Sequence, residues 1–281
     1  MVSDVSPPAP KSSRAGRDLP AAVAVSIALL GIVWASLFIY KAAFLIVVAV
    51  AILLAVSELA KALSTAGTVL PMAPVAAGSV AMLFSAYAGG STALVMAMAC
   101  TVLAVLLWRM AKGPRGYVRD VTAGVFTAAY IPFLAGFVAL LLRPDDGPWR
   151  VLTFIVVTIS SDIGGFVVGV LIGRHLMSPS ISPKKTWEGF AGSAAACMIA
   201  GWALVVYALD GEWWVGVLLG AVTVVSATAG DLFESLIKRD LGLKDMGKLL
   251  PGHGGIMDRL DSMLATVAFS WLLLYTLVPV S

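Results

Sequence analysis

Residues 42–60 read AAFLIVVAVAILLAVSELA, with Glu58 the one charged residue in the run. Roughly 20 mostly apolar residues cross the hydrocarbon layer of a bilayer as a helix. A soluble domain has no core large enough to hide many such segments, and this chain is built from them. Of its 281 residues 60% are apolar and 12% charged, about half the charged share of a soluble domain. Mean hydropathy is +0.96. Lipid is therefore the solvent for most of the surface.

Working outward, the hydropathy pattern predicts an all-α, polytopic integral membrane protein with about nine transmembrane helices. They fall near 19–40, 42–60, 69–86, 91–108, 119–142, 150–172, 187–209, 213–230 and 259–278. Lys41 alone separates the first two, which leaves a re-entrant or tilted pair as an alternative. Pro71 and Pro74 stand at the start of the third, where proline suits a helix entry. Residues 1–18, rich in Pro, Ser and Ala, read as a disordered tail. The apolar run that follows is too long for a cleaved signal segment and reads as a retained first span.

Every one of the 19 basic residues except Lys41, Arg143 and Arg150 falls on one side of this arrangement. By the positive-inside rule that side is cytosolic, with the N-terminus inside and the C-terminus outside. The organisation expected is the tail, N-terminal transmembrane helices over 19–172, and C-terminal helices with cytosolic loops over 173–281. Residues 150–172 join the last group in one catalytic unit. The net charge of +3 gives no reason to expect a nucleic-acid partner. Cys100 and Cys197 lie inside apolar runs without metal-ligand spacing, and read as small core residues.

In the first half Glu58 and Asp120 stand near span ends and are expected to face water. The second half differs: Asp162, Glu188, Asp231, Glu234, Asp258 and Asp261 sit within or beside apolar helices. Acids at membrane depth are costly unless paired, hydrated or bound to a cation. In the segment 230–239, GDLFESLIKR, helical spacing puts Asp231, Glu234 or Ser235, and Lys238 on one face. In 251–261, PGHGGIMDRLD, glycines allow backbone amides close to a phosphate. Asp258 and Asp261 follow one turn apart. Beside Asp231 these carboxylates would make an oxygen-rich site of the kind Mg²⁺ shares with substrate phosphates, although N-capping also explains Asp258. In 181–189, ISPKKTWEG, adjacent lysines, hydroxyls and a helix start suit a polyphosphate, though a positive-inside loop would read the same. Asp162, among small residues, is placed to line a polar cavity or ligate a metal. His175 reads as a headgroup contact, and His253, between glycines, as a phosphate contact or proton carrier.

The 27 residues from Ser235 to Asp261, SLIKRDLGLKDMGKLLPGHGGIMDRLD, resemble the signature of the phosphatidate cytidylyltransferase family, with its spacing throughout. The ISPKKTWEG stretch, the Asp162 segment and the Gly230-Asp231 lead-in are similar to that family as well; the first 150 residues match it in hydropathy alone. The resemblance implies attack of phosphatidate on the α-phosphorus of CTP, giving CDP-diacylglycerol and pyrophosphate. It also implies Mg²⁺ as cofactor, a cytosol-facing site in the cell membrane, contact with membrane lipids and a homodimer. On this reading Asp231 and Asp258 bind metal, supported by Asp162, Glu234 and Asp261. Lys184, Lys185, Lys238, Arg239 and Arg259 hold phosphate oxygens. Ser182, Thr186, Ser235 and the backbone of His253, Gly254 and Gly255 add hydrogen bonds. Lys244 and Asp245 belong to the same substrate-binding signature. The rivals are a related CTP-dependent enzyme or kinase acting on another lipid, and an ion-coupled transporter. The glycine- and aspartate-bearing pattern of CDP-alcohol phosphotransferases is absent from the sequence.

Overall fold

A computed structural model describes residues 31–247 and 255–280. The expected tail, residues 19–30 of the expected first span, and Lys248, His253 and Gly254 lie outside the described residues. Seven described helices are long and apolar enough to cross a membrane. They are α1 (Lys41–Thr65), α2 (Met72–Met110), α3 (Tyr117–Leu142), α4 (Gly147–Ile172), α5 (Trp187–Ala208), α6 (Trp213–Asp240) and α7 (Met257–Leu277). Residues 31–39 are also helical, and Tyr40, in an extended conformation, divides them from α1. Between α4 and α5 the chain forms an antiparallel hairpin of β1 (Leu176–Ser178) and β2 (Ser182–Thr186). The helical membrane architecture is as expected; the hairpin departs from it, since SPKKT, Ser182–Thr186, forms a strand rather than an open loop.

Helix α2 spans 39 residues, about 58 Å if straight and nearly twice a bilayer core. It is not straight. Gly90 has φ 76° and ψ −163°, a conformation open essentially to glycine alone, and there the helix folds back on itself. A Cβ on Gly78 would lie 2.3 Å from Thr101 Oγ1, although the two residues are far apart along a continuous helix. The halves of this hairpin coincide with the spans expected at 69–86 and 91–108, and Pro71 is the N-cap as its position suggested. In α3 Pro132 lies within a π-turn, Ala129–Phe133, which absorbs the missing amide and the ring clash of a proline inside a helix.

The two ends of the bundle carry different charge. At one end Asp120 accepts from Arg109 Nε (2.9 Å) and Val69 N (3.1 Å), and Glu58 accepts from Met257 N (2.9 Å). Both acids are 2% exposed, so the expectation that they face water is corrected: each is buried against a donor from elsewhere in the chain. At the other end Lys41 Nζ donates to Pro144 O (2.5 Å), and Arg150 Nε bonds both oxygens of Asp146 at 2.8 Å. The remaining nitrogens of Arg150 reach the carbonyls of Leu274 (2.6 Å), Val278 (3.0 Å) and Pro279 (3.0 Å). The last carbonyls of a helix have no partner within it and carry partial negative charge, so a buried guanidinium closes the C-terminal end of α7.

Close backbone contact assembles α4, α5 and α6. A Cβ on Gly201 of α5 would meet Gly216 O of α6 at 2.3 Å. Ser193 Oγ of α5 donates to Ser161 O of α4 (2.6 Å), and Cys197 Sγ approaches Val157 O (3.3 Å). Small residues let helices approach this closely where lipid offers no hydrophobic driving force.

Arg150→Met would strand Asp146 and the carbonyls of Leu274 and Val278 in a buried setting. A loss of about 3–5 kcal/mol is expected, read as a lower apparent Tm in detergent. An unchanged Tm would mean that water replaces the guanidinium at no cost.

Candidate active site

Helix α6 runs past the end of its expected span at residue 230 and stays helical to Asp240. Asp231, Glu234, Ser235 and Lys238 thus stand on a rigid rod leaving the apolar layer. Opposite them, β2 brings in Ser182, Lys184 and Lys185. Its end is fixed by Thr186, the N-cap of α5, whose Oγ1 accepts from Gly189 N (3.1 Å). Glu188 holds the other side of the hairpin. It accepts from Arg174 N (3.1 Å) and His175 N (3.2 Å), and pairs with His175 Nδ1 at 2.5 Å. Glu188 and His175 therefore brace the hairpin and do not line the cavity.

A cavity of about 310 Å³ lies between these elements. Its polar walls are Ser161 and Asp162 of α4, Ser182, Lys184, Lys185 and Thr186 of the hairpin, Ser193 of α5, and Thr228 and Asp231 of α6. Lys185 Nζ forms an ion pair with Asp231 across the cavity. The charged neighbours of Asp162 are Asp231, Lys185 and Arg259.

A second group adjoins the first. Lys238 Nζ sits between Glu234 Oε2 (2.5 Å) and Asp258 Oδ1 (2.8 Å). Asp258 Oδ2 also accepts from Gly255 N (3.0 Å) and Met246 N (3.2 Å), so its oxygens are engaged by protein donors and the Gly255 amide points at a carboxylate. Asp261 has Asp231 and Glu234 as its charged neighbours, and its Oδ1 accepts from Ser262 N (2.7 Å). Asp162, Asp231, Asp261 and Glu234 thus form a row of carboxylates, with Lys185 at one end and Lys238 at the other. Arg239 lies over the hairpin, with Nε 3.5 Å from Ile181 O. Lys244, Asp245 and Arg259 are exposed at this end, and Ser235 is half-buried one turn from Asp231.

The chemistry of this donor set fits a hard cation. Glu234 is 1% exposed, and its Oε1 has no hydrogen-bond partner, an unsatisfied acceptor beside other carboxylates. Among the described residues no three His, Cys, Asp or Glu side chains converge on one point as a complete ligand set. Mg²⁺ commonly takes one or two carboxylates and completes its shell with water and substrate phosphate.

Beside the carboxylate row, on the membrane side, lies an apolar groove of about 700 Å³ between α3, α6 and α7. Val225, Phe233 and Phe269 help line it, with Tyr130 at the π-turn. The Tyr130 hydroxyl is buried without a partner, and its charged neighbours are Asp261, Glu234 and Asp231.

The structure thus brings Asp162, Ser182, Lys184, Lys185, Thr186 and Asp231 around one cavity, with Lys238, Glu234, Gly255, Asp258 and Asp261 next to it. Sequence reasoning passed over Ser193 and Thr228, which carry a weak signal, a hydroxyl one turn from Gly189 or Asp231. It placed Glu58 in water although a lone charge in an apolar run signals otherwise.

Comparison with known proteins extends the likeness beyond these residues. Residues 20–277 match the cytidylyltransferase family. The phosphatidate cytidylyltransferase of Mycobacterium bovis is 39% identical over 285 residues, 97% of this chain and 93% of that protein. That of Mycobacterium leprae is 41% identical over 283 residues, 95% of this chain and 90% of its own length. The Brucella suis enzyme of the same name is 39% identical over 180 residues, 62% of this chain and 61% of its own. The likeness takes in the N-terminal helices as well as the cavity and its signature, and the chain belongs to the cytidylyltransferase family.

Proposed function

We propose that this protein converts CTP and phosphatidate to CDP-diacylglycerol and pyrophosphate, as the names of its relatives state for them. The observation that carries this reading is a carboxylate row served by two unlike spaces. Lys184, Lys185, Asp162 and Asp231 line a polar cavity at one part of the row, and an apolar groove reaches the row at Tyr130, whose charged neighbours are Asp261, Glu234 and Asp231. A water-soluble polyphosphate suits the first and acyl chains the second.

A phosphate oxygen of phosphatidate attacks the α-phosphorus of CTP, and the bond from that phosphorus to pyrophosphate breaks. Phosphatidate is already ionised near neutral pH, so positioning and charge neutralisation matter more than a base. Lys184, Lys185, Ser182 and Thr186 hold the triphosphate. Lys238, Arg239 and Arg259 complete the cationic rim toward the lipid headgroup, with Lys244, Asp245 and Ser235 around it; His253 and Gly254 keep the substrate-contact role that the signature implies. Asp231, with Asp162 or Asp261 beside it, would hold Mg²⁺, which when bound would offset negative charge on the phosphates and on departing pyrophosphate. A polyanion set beside these carboxylates requires such an offset. Asp258 and Glu234 fix Lys238 and the entry of α7.

The end of the bundle that carries the cavity also carries the described basic residues other than Lys41, Arg143 and Arg150. This supports a cytosol-facing site by the positive-inside rule, and lysines there attract anionic headgroups. Counting α2 as two spans and adding the expected first span gives nine, with the N-terminus in the cytosol. The family resemblance supports a homodimer in the cell membrane. Transport is less well supported, because the carboxylates gather at one end of the bundle rather than through its depth.

The test is a radiolabel assay in mixed micelles, with labelled CTP, Mg²⁺ and phosphatidate, and with diacylglycerol and a polyprenyl alcohol as parallel acceptors. Liponucleotide is expected with phosphatidate alone and is expected to vanish on chelation. Transfer of the γ-phosphate to an alcohol, or no product from a folded preparation, would overturn the reading.

Two variants separate the roles. Asp231→Asn is expected to lower kcat roughly a hundredfold or more while the protein remains folded in detergent; near-parent turnover would remove Asp231 from the site. Lys185→Ala is expected to raise KM for CTP more than KM for phosphatidate, and an equal effect on both would count against a triphosphate contact.

A further inference from the structure

Glu58 belongs to α1, far from the signature in sequence, yet it meets the signature segment at three points. Its Oε2 accepts from Met257 N, the first residue of α7 (2.9 Å). A Cβ on Gly247 would lie 2.1 Å from Glu58 Oε1. A Cβ on Gly255 would lie 2.6 Å from Glu58 Oε2, 2.8 Å from Gly247 N and 2.9 Å from Asp258 Oδ2. Neither glycine is among those with positive φ. Glycine is therefore needed at 247 and 255 for room: the carboxylate of Glu58 fills the place where a side chain would go.

The energetics point the same way. Glu58 is 2% exposed and its Oε1 has no hydrogen-bond partner, and burying an unsatisfied acceptor is costly. Its offsetting gain is at the start of α7, where backbone amides lack partners within the helix and carry partial positive charge. Glu58 thus serves as a cap supplied from a different helix. That cap sets the height and rotation of α7, and so the places of Asp258, Arg259 and Asp261.

We infer that Glu58 is a positioning residue for the reaction, pinning the start of α7 and the flanking glycines so that Asp258 meets Lys238 and Asp261 joins the carboxylate row. The inference rests on the activity proposed above. Its consequence is a kinetic split. The lysine-bearing wall of the cavity is built by α4, the hairpin and α5, which Glu58 does not touch. Removing Glu58 lowers kcat and leaves KM for CTP close to the parent value.

Full-length parent and variants are compared in micelles for turnover of CTP and phosphatidate, and by hydrogen–deuterium exchange at the Met257 amide. A parent without turnover would sink the proposed function, while the exchange measurement would still test the contact. With an active parent, Glu58→Ala is expected to lose about tenfold to a hundredfold in kcat, the usual cost of removing a supporting partner, and to expose the Met257 amide to exchange. Glu58→Gln keeps an acceptor oxygen and is expected to recover part of both. Gly247→Ala, which crowds Glu58, is expected to match Glu58→Ala in kcat. The double variant is expected to be no worse than either single, because the new methyl occupies the space the carboxylate left. Parent-like kcat and exchange in Glu58→Ala, or strictly additive losses in the double variant, would overturn the inference. If Glu58→Ala fails to fold, Glu58→Gln and Gly247→Ala decide it by the same two readouts.

Discussion

Lysines placed between carboxylates at the edge of the apolar layer are the condition for everything else at this end of the bundle. Asp231 meets Lys185, and Glu234 and Asp258 share Lys238. Without those cations, α6 could not carry two acids from the membrane on successive turns. The compensation is incomplete. Asp162, Asp261 and the free oxygen of Glu234 add further acceptor oxygens to the row. A fully satisfied network would be more stable.

Such a row requires helices closer than ordinary side chains permit. The contact of Gly201 with Gly216, and the bonds from Ser193 and Cys197 to carbonyls of α4, hold α4, α5 and α6 nearly backbone to backbone. The same small residues that bring the helices together leave room between Asp162 and Asp231 for the cavity. Tight packing below and an opening above are one design, set by where small residues give way to Lys184 and Lys185 on the hairpin.

Much of this is legible in the sequence where a residue's solvent decides its place. Lipid selects the apolar runs, so the helices fall near their expected spans, and the break at Gly90 lies in the gap between two of them. Charge selects the end of the bundle, so the lysines and acids of the signature come together. Hydropathy fails where the hydrogen-bonded backbone continues without it. Helix α6 extends past Gly230 because its acids find partners, not because its residues are apolar. It fails again where a polar group is buried on account of donors supplied from other segments of the chain. Nothing local to Glu58 or Asp120 tells that Met257 N or Arg109 lies opposite, and both acids read as facing water. The signature's glycines show a related limit. Their presence suggests amides open to phosphate, whereas the Gly255 amide serves Asp258 and its missing side chain makes way for Glu58.

Helix α7 shows what the N-terminal half contributes. Its first turn receives a carboxylate from α1, and its last carbonyls receive a guanidinium from the start of α4. Each charge has the sign that complements its end of the helix dipole. Each is buried, so its field is little screened by water. A helix held only by apolar packing can slide or turn at small cost, because one apolar neighbour serves nearly as well as another. A helix held at both ends by directional bonds cannot. Asp258 stands on the first turn of that helix and Asp261 on the next, and their register against α6 decides whether carboxylates and lysines meet. The geometry of the site is thus set partly by residues with no place in its signature.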